Sequence, residues 1–309
     1  MEPLGQGLNP PRDTLAQTSA ATGGNNAAVK FLPPLLLALT VSVAQAQTPP
    51  AAAASAPHHN HAAAIRAARV RGLAEQMNLP AETLKQSCRF ASDIATPPPT
   101  GLVALSFDDG PEPGATEAIL ALLDKHQVPA SFFLIAAKAQ RHPELAALVK
   151  AHPLARVGNH SWSHPNFHDI APAVRASEVE RSDTALAALE APKLFRYPYG
   201  NSSCDANAEL QQRGYRIVGW HVDSCDWAFD KTGSIDPHEA KICGVAKADR
   251  EHFIDHVVNA VKARKGGIVL MHEIHPHTLA RLDELITRLL AEGLRFAPVN
   301  DPAFAASLR

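Results

Sequence analysis

The sequence predicts an α/β domain in which parallel strands, each followed by a helix, curl toward a barrel. Three observations point there. Short apolar runs alternate with amphipathic stretches from about residue 102 to 292. Polar residues of matching chemistry stand directly after five of those runs: Asp108, His160, Arg196, Asp223 and His272. Barrels of this kind carry their chemistry at the carboxyl ends of strands, and chance would scatter such residues. Finally, 46% hydrophobic residues in a chain of 309 supply an ample core.

Taken in order, 102–107 (Leu-Val-Ala-Leu-Ser-Phe) reads as a short apolar strand. Residues 115–126 read as a helix, because Ile119, Leu120 and Leu123 share one face. A strand over 130–135 follows, then a helix through Leu145, Leu148 and Val149. Arg156-Val157-Gly158 leads as a strand into His160. Next come a helix over 172–190, a strand over 194–196, a helix over 206–213 and one strand over 215–222. A helix over 252–264, a strand over 267–271 and a helix over 278–292 complete the series. With seven or so such units, the sheet is expected to curl.

Upstream the composition changes. Lys30 precedes an apolar run over 31–43 that ends in Ala44-Gln45-Ala46, an A-x-A cleavage pattern. Residues 1–46 therefore read as a signal-peptide region. The run is short for a membrane span and is interrupted by Pro33 and Pro34. Residues 1–28 are polar and rich in Gly, Asn and Pro; a mis-assigned start is expected, with translation opening at Val29. Residues 47–63 form an Ala/Pro-rich linker in which His58, His59 and His61 are solvated. Residues 64–98 are a helical lead-in interrupted at Pro80, and Pro97-Pro98-Pro99 marks the boundary to a catalytic domain over 99–309.

Export to the periplasm or medium, with no stable membrane span after cleavage, makes disulfides possible. The four cysteines allow three pairings, of which Cys88–Cys204 with Cys225–Cys243 is expected; unpaired thiols are the alternative. None has C-x-x-C spacing, so the cysteines do not read as zinc ligands. A formal charge of −2 gives no electrostatic support for nucleic-acid binding.

The chemistry concentrates in two segments, Ser-Phe-Asp-Asp-Gly-Pro and His-Ser-Trp-Ser-His. Asp109, His160 and His164 make a carboxylate–imidazole–imidazole set that suits a divalent metal, first Zn2+ and then Co2+ or Ni2+. The spacing of the histidines fits one helical turn. Asp108 is expected on the opposite side of the strand from Asp109, free to act as a general base. Arg196 would hold Asp108 ionised. Pro198 fixes the backbone so that the Tyr199 N–H can serve an oxyanion. A carboxylate from Asp223 or Asp226 would keep His272 protonated as a general acid. Leu270 and Trp227 suit a small apolar pocket for a methyl group, while His275 and His277 read as a surface loop.

Five segments appear in order: SFDDGP at 106–111, HSWSH at 160–164, RYPYG at 196–200, DSCDW at 223–227 and LMH at 270–272. Together they closely resemble the polysaccharide deacetylase family, also called the NodB-homology domain or carbohydrate esterase family 4, over roughly residues 100–300. The resemblance implies a distorted (β/α)7 barrel that removes acetyl groups from acetylated glycans, chiefly polymers of N-acetylglucosamine such as peptidoglycan or chitin. It implies Asp108 as base, Asp109, His160 and His164 as metal ligands, and Arg196 as orienter of the base. Tyr199 N–H becomes the oxyanion donor, His272 the acid and Asp226 its partner, with Asp223 in reserve. An O-acetyl esterase acting on acetylxylan and a non-catalytic glycan binder are the alternatives. The chain departs from the pattern at Cys225, inside the fourth segment, and at 228–250, which reads as an insertion shaping one wall of the cleft.

Overall fold

The first strand, β1 (Leu102–Gly110), sets the architecture. Val103, Leu105 and Phe107 pack into the layer shared with the outer helices, whereas Leu102 and Ala104 join a second cluster on the inner face. This is the period-two alternation of a strand, and it carries Ser106 and Asp108 inward as well. The computed structural model describes residues 67, 70, 71, 88, 94 and 96–309, apart from 190. The signal-peptide region, the linker and most of the helical lead-in lie outside the described residues.

β2 (Ala130–Leu134), β3 (Ala155–Asn159), β4 (Leu194–Phe195) and β5 (Arg216–Ile217) extend the sheet on one side of β1. β7 (Gly266–His272) and β6 (Val222–Asp223) extend it on the other, in the order β5-β4-β3-β2-β1-β7-β6. All six of these ladders are parallel, and the seven strands form the curled, incompletely closed barrel of the predicted class. A short final strand, β8 (Arg295–Phe296), pairs with the start of β1. Gly158 is paired with Phe133 across β2 and β3; a Cβ there would lie 2.6 Å from the Phe133 ring, so only glycine leaves that ring its place on the inner face.

The single strand expected over 215–222 is instead two short ones. Between them the Val218 and Gly219 carbonyls accept hydrogen bonds from the Arg196 guanidinium rather than from a neighbouring strand. Val218 N–H still reaches Phe195 of β4, while His221 N–H reaches Ile268 of β7. The segment thus crosses the seam of the sheet, and its apolar residues seal the barrel interior without continuing a ladder.

The helices follow the apolar periodicity. α1 (Ala115–His126) buries Ile119, Leu120 and Leu123. The single helix expected next is two, α2 (Ala136–Arg141) and α3 (Pro143–Ala151), because the residue before Pro143 is steered out of the helical region. α4 (Pro172–Leu186) ends earlier than expected and tightens into a 3-10 turn over Ala187–Leu189. α5 (Cys204–Gln212) is capped by the Ser203 side chain. The segment 228–250 holds an unforeseen helix, α6 (Pro237–Cys243), with Asp236 accepting from the His238 and Glu239 amides and a left-handed Gly244 at its end. α7 (Phe253–Arg264) and α8 (Pro276–Ala291) complete the outer layer, α8 burying Leu282, Leu285, Ile286 and Leu289 at helical spacing.

The cysteines pair as expected, Cys88 with Cys204 and Cys225 with Cys243. The first bridges 116 positions of sequence and ties the lead-in to the start of α5. The second, over 18 positions, ties the loop after β6 to the end of α6. In the chain-entropy account, a loop of about 15 residues contributes about 3 kcal/mol.

Candidate active site

Arg196, the residue after β4, is wholly buried. Nη1 donates to Asp108 Oδ1 at 2.8 Å and to Ser106 Oγ at 2.9 Å, Nε to Val218 O at 3.3 Å and Nη2 to Gly219 O at 3.1 Å. The guanidinium lies 4.1 Å from the Phe133 ring centroid. A buried cation with four of its five donors answered and an aromatic face beneath it is locked in place, and so is the carboxylate it holds.

Asp109 departs from the expected alternation. Its φ of 72° is left-handed, and the β1–β2 register slips between Asp108 and Gly110. This turns Asp109 back to the side that Asp108 faces: Asp108 Oδ2 and Asp109 Oδ1 lie 3.6 and 3.5 Å from His160 Nε2. The two carboxylates therefore do not point to opposite sides. Aspartate is among the residues that enter this backbone region most readily.

His160 and His164 do not sit on a helical turn either. They flank an irregular loop in which Ser161 (φ 68°) and His164 (φ 63°) are left-handed, and their rings lie 4.9 Å apart. His160 Nδ1 faces the Arg196 carbonyl at 2.8 Å; donating there leaves the Nε2 lone pair facing Asp109. Asp109 Oδ1 lies 3.3 Å from His164 Nε2 and accepts no hydrogen bond, although it is buried. A tetrahedral ion with bonds of about 2.0–2.1 Å holds its ligand atoms roughly 3.3–3.4 Å apart. The donor set, the spacing and the orphaned oxygen all fit a divalent ion. Burial works against the Asp109 carboxylate, yet His164 and His160 hold it well below the usual carboxylate range.

Opposite stands His272, at the end of β7. Its Nδ1 donates to Asp226 Oδ1 at 2.7 Å, and its backbone N–H to Asp226 Oδ2 at 2.7 Å. Thr278 Oγ1 donates to the same Oδ2. Burial alone would lower the His272 pKa, but Asp226 outweighs it and raises it to about 9. Asp226 itself, despite burial, is lowered to about 2, chiefly by His272. Asp223, the reserve partner, instead accepts from Cys225 N–H and Trp227 Nε1 and does not hold His272.

A cavity of about 410 Å³ connects these groups, lined by both aspartates, the three histidines, Tyr199, Trp227 and Leu270, with Trp220, Phe229 and Lys231 among the other walls. Tyr199 follows Pro198 in a left-handed conformation (φ 60°, ψ 5°), its ring 4.7 Å from that of His164. Burial pushes its phenol up to about 12. His275 also lines this cavity, 5.4 Å from the His272 ring, so it is not a plain surface residue. His277 stacks on Phe229 and meets Phe253 edge-on, outside the cavity and likewise not exposed.

A model of the family described as polysaccharide deacetylase matches residues 95–218. A chitooligosaccharide deacetylase of Bradyrhizobium is 33% identical over 219 residues, which are 65% of this chain and 90% of that protein. The chain belongs to the polysaccharide deacetylase family. The peptidoglycan-N-acetylglucosamine deacetylase PgdA of Listeria monocytogenes is 29% identical over 203 residues, 64% of this chain. The match spans only 38% of the Listeria protein. Among solved structures, a family 4 carbohydrate esterase from Streptomyces lividans in complex with acetate superposes with a TM-score of 0.52 at 30% identity, covering 64% of this chain and 92% of that one.

In this polysaccharide deacetylase domain, sequence reasoning brought the ten proposed site residues to one end of the sheet but missed what supports them. Ser106 shares Arg196 with Asp108. Glu178, on α4, accepts from the Trp162 and Ser163 amides and the Ser163 hydroxyl. Glu273 is buried against Gly110, where a Cβ would lie 1.8 Å from its Oε1, and accepts from Thr116 Oγ1. Burial raises its pKa to about 8. A signal existed for Glu178: it falls in register with the buried positions Arg175, Val179, Ser182 and Leu186, where a helix of this kind would ordinarily place apolar residues.

Proposed function

We propose that this chain is an exported, metal-dependent deacetylase that hydrolyses the acetamide of N-acetylglucosamine units in a glycan such as peptidoglycan or a chitin-type polymer, releasing acetate. One observation carries the reading. In a single cleft, an Arg196-held Asp108 beside the Asp109–His160–His164 set opposes an Asp226-held His272. A base and an acid on opposite sides of one bond are what acyl transfer to water requires.

Asp109, His160 and His164 would hold a divalent ion, Zn2+ in the first instance. When bound, the ion supplies Lewis acidity to the acetyl carbonyl and makes water a better nucleophile near neutral pH. Asp108, ionised and fixed by Arg196, takes the proton from the attacking water. The Tyr199 N–H donates to the oxygen that gains charge as the carbonyl becomes tetrahedral. Leu270 and Trp227 enclose the acetyl methyl. His272, kept protonated by Asp226, delivers its proton to the departing amine nitrogen, without which the amine is a poor leaving group. The carbon–nitrogen bond breaks, acetate leaves, and the Asp108 proton returns to solvent.

The names of the Bradyrhizobium and Listeria relatives support an N-acetylated glycan. Two disulfides support an oxidising compartment, periplasmic or extracellular. Among the described residues no helix is long and apolar enough to cross a membrane.

The test is acetate release, followed by mass spectrometry, from N-acetylglucosamine oligomers, peptidoglycan fragments and acetylated xylan, using zinc-loaded protein. Release from the first two, abolished by Asp108→Asn, is the expected result. Release from xylan alone would make the chain an O-acetyl esterase; glycan binding without release from any of them would make it a non-catalytic binder.

A further inference from the structure

We infer that Glu178 is a positioning residue for the metal centre: from α4, outside the cleft, it sets the separation of His160 and His164 and through it the affinity for the ion. The inference rests on the metal-centre reading above.

The loop between the two histidines has no helix or ladder to satisfy its backbone. Each amide in it is answered individually. His160 N–H goes to the Leu134 carbonyl, Ser161 N–H to Asn159 Oδ1 and His164 N–H to Ser161 Oγ. The Ser161 and Trp162 carbonyls accept from Ala136 and Ala137 at the start of α2. The two amides left, Trp162 and Ser163, both donate to Glu178 Oε2, at 3.0 and 2.8 Å, and Ser163 Oγ donates to Oε1 at 2.7 Å. One buried carboxylate therefore claims three donors at the middle of the loop.

Those bonds also decide against the helical turn that the spacing of the two histidines would allow. Histidines four apart are compatible with a helical turn, in which both rings would share a face at helical spacing. Glu178 draws consecutive amides to a single oxygen, the geometry of a nest rather than a helix. Residues on both sides, Ser161 and His164, then take left-handed backbone angles, and the second imidazole swings to within 3.3 Å of Asp109 Oδ1. An apolar side chain of similar size in place of this carboxylate leaves both loop amides buried with no acceptor, and the loop relaxes.

The experiment titrates the disulfide-bonded, metal-free protein with Co2+, reading affinity and the visible absorption bands that report ligand geometry. Glu178→Leu is expected to weaken binding by about 10–100-fold, as loss of groups that orient metal ligands does, and to change the bands. Ser163→Ala keeps both amide bonds and is expected to bind as the parent does. Thermal melting of the metal-free forms checks folding. Should Glu178→Leu fail to fold, Glu178→Asp carries the test, since its carboxylate is drawn back from the two loop amides by one methylene and is expected to weaken binding in the same direction. Parent-like affinity and spectrum in a folded Glu178 variant would overturn the inference and leave the metal centre standing. A parent protein that takes up no Co2+ or Zn2+ would overturn the metal-centre reading itself.

Discussion

The Asp108 carboxylate is divided between two neighbours: Oδ1 receives Arg196 Nη1 at 2.8 Å, while Oδ2 lies 3.6 Å from His160 Nε2, on the ligand side of the cleft. One oxygen is anchored and the other faces the cleft. Asp108→Asn keeps the shape and removes the proposed base. It is expected to cut acetate release by about 10²–10⁴-fold, the range associated with a positioned acid or base. Metal content, measured by elemental analysis, should stay at the parent level. Activity within threefold of the parent would remove Asp108 from the mechanism.

Arg196→Lys is expected to be no conservative change. A single ammonium cannot serve Asp108, Ser106, Val218 O and Gly219 O together, so buried acceptors lose their partner. Each such loss costs about 1–3 kcal/mol. A urea midpoint unchanged from the parent would contradict this account of the seam.

The Asp226–His272 pair gives the pH dependence. The His272 pKa is raised to about 9, so in metal-free protein the proposed acid holds its proton at neutral pH and loses it above about 9. The sign for stability follows. A histidine with a raised folded-state pKa stabilises fully below its unfolded value of about 6.5, and that stability is lost as pH rises through about 9. A bound dication would pull the value down. Asp226→Asn removes the group that raises it, so the His272 resonance should titrate at least one pH unit lower by NMR. The alkaline limb of the rate profile should move the same way. Titration at the parent value would show that Asp226 does not act on His272.

Glu273 carries the opposite sign. A carboxyl raised from its ordinary value to about 8 keeps its proton in the folded state while the unfolded chain ionises. Stability from this group therefore falls as pH rises between about 4.5 and 8. Glu273→Gln removes the titration, and metal-free variant protein is expected to melt several degrees above the parent at pH 8 and close to it at pH 4.5. Equal melting shifts at both pH values would refute the buried, protonated state.

Chelation should abolish acetate release and lower the melting temperature, with both restored by Zn2+. At free metal about 1,000-fold above Kd, the stabilisation is about 4 kcal/mol. Asp109→Ala should abolish the metal-dependent shift. A chelator-treated, metal-free enzyme that keeps full activity would exclude a metal from the reaction.

Most of the barrel was legible because its strands are apolar and its helices have a clear buried face: β1, α1 and β7 lie within three residues of their expected bounds at each end. The polar residues at the strand ends were legible because each apolar run stops where one of them stands. What was hidden depended on partners distant in sequence. The break after Ile217 exists because Arg196, 22 positions before Val218, takes its carbonyl. The non-helical His160–His164 loop exists because Glu178 takes its amides. Local periodicity carries no trace of either. α6 was a different omission, since Asp236-Pro237 and Gly244 are ordinary start and stop signals.

Four residues of the cleft or its ligand loop, Asp109, Ser161, His164 and Tyr199, have φ between 60° and 72°. The consequence concerns transplantation. Copying the five short segments onto another (β/α) barrel would transfer the side chains but not these dihedrals. On a regular host strand, Asp109 would point away from Asp108, and the ligand set would come apart with every residue present. A working graft must carry the long-range hydrogen-bond partners along with the segments, so the unit that moves is a network spread over much of the domain and not a motif.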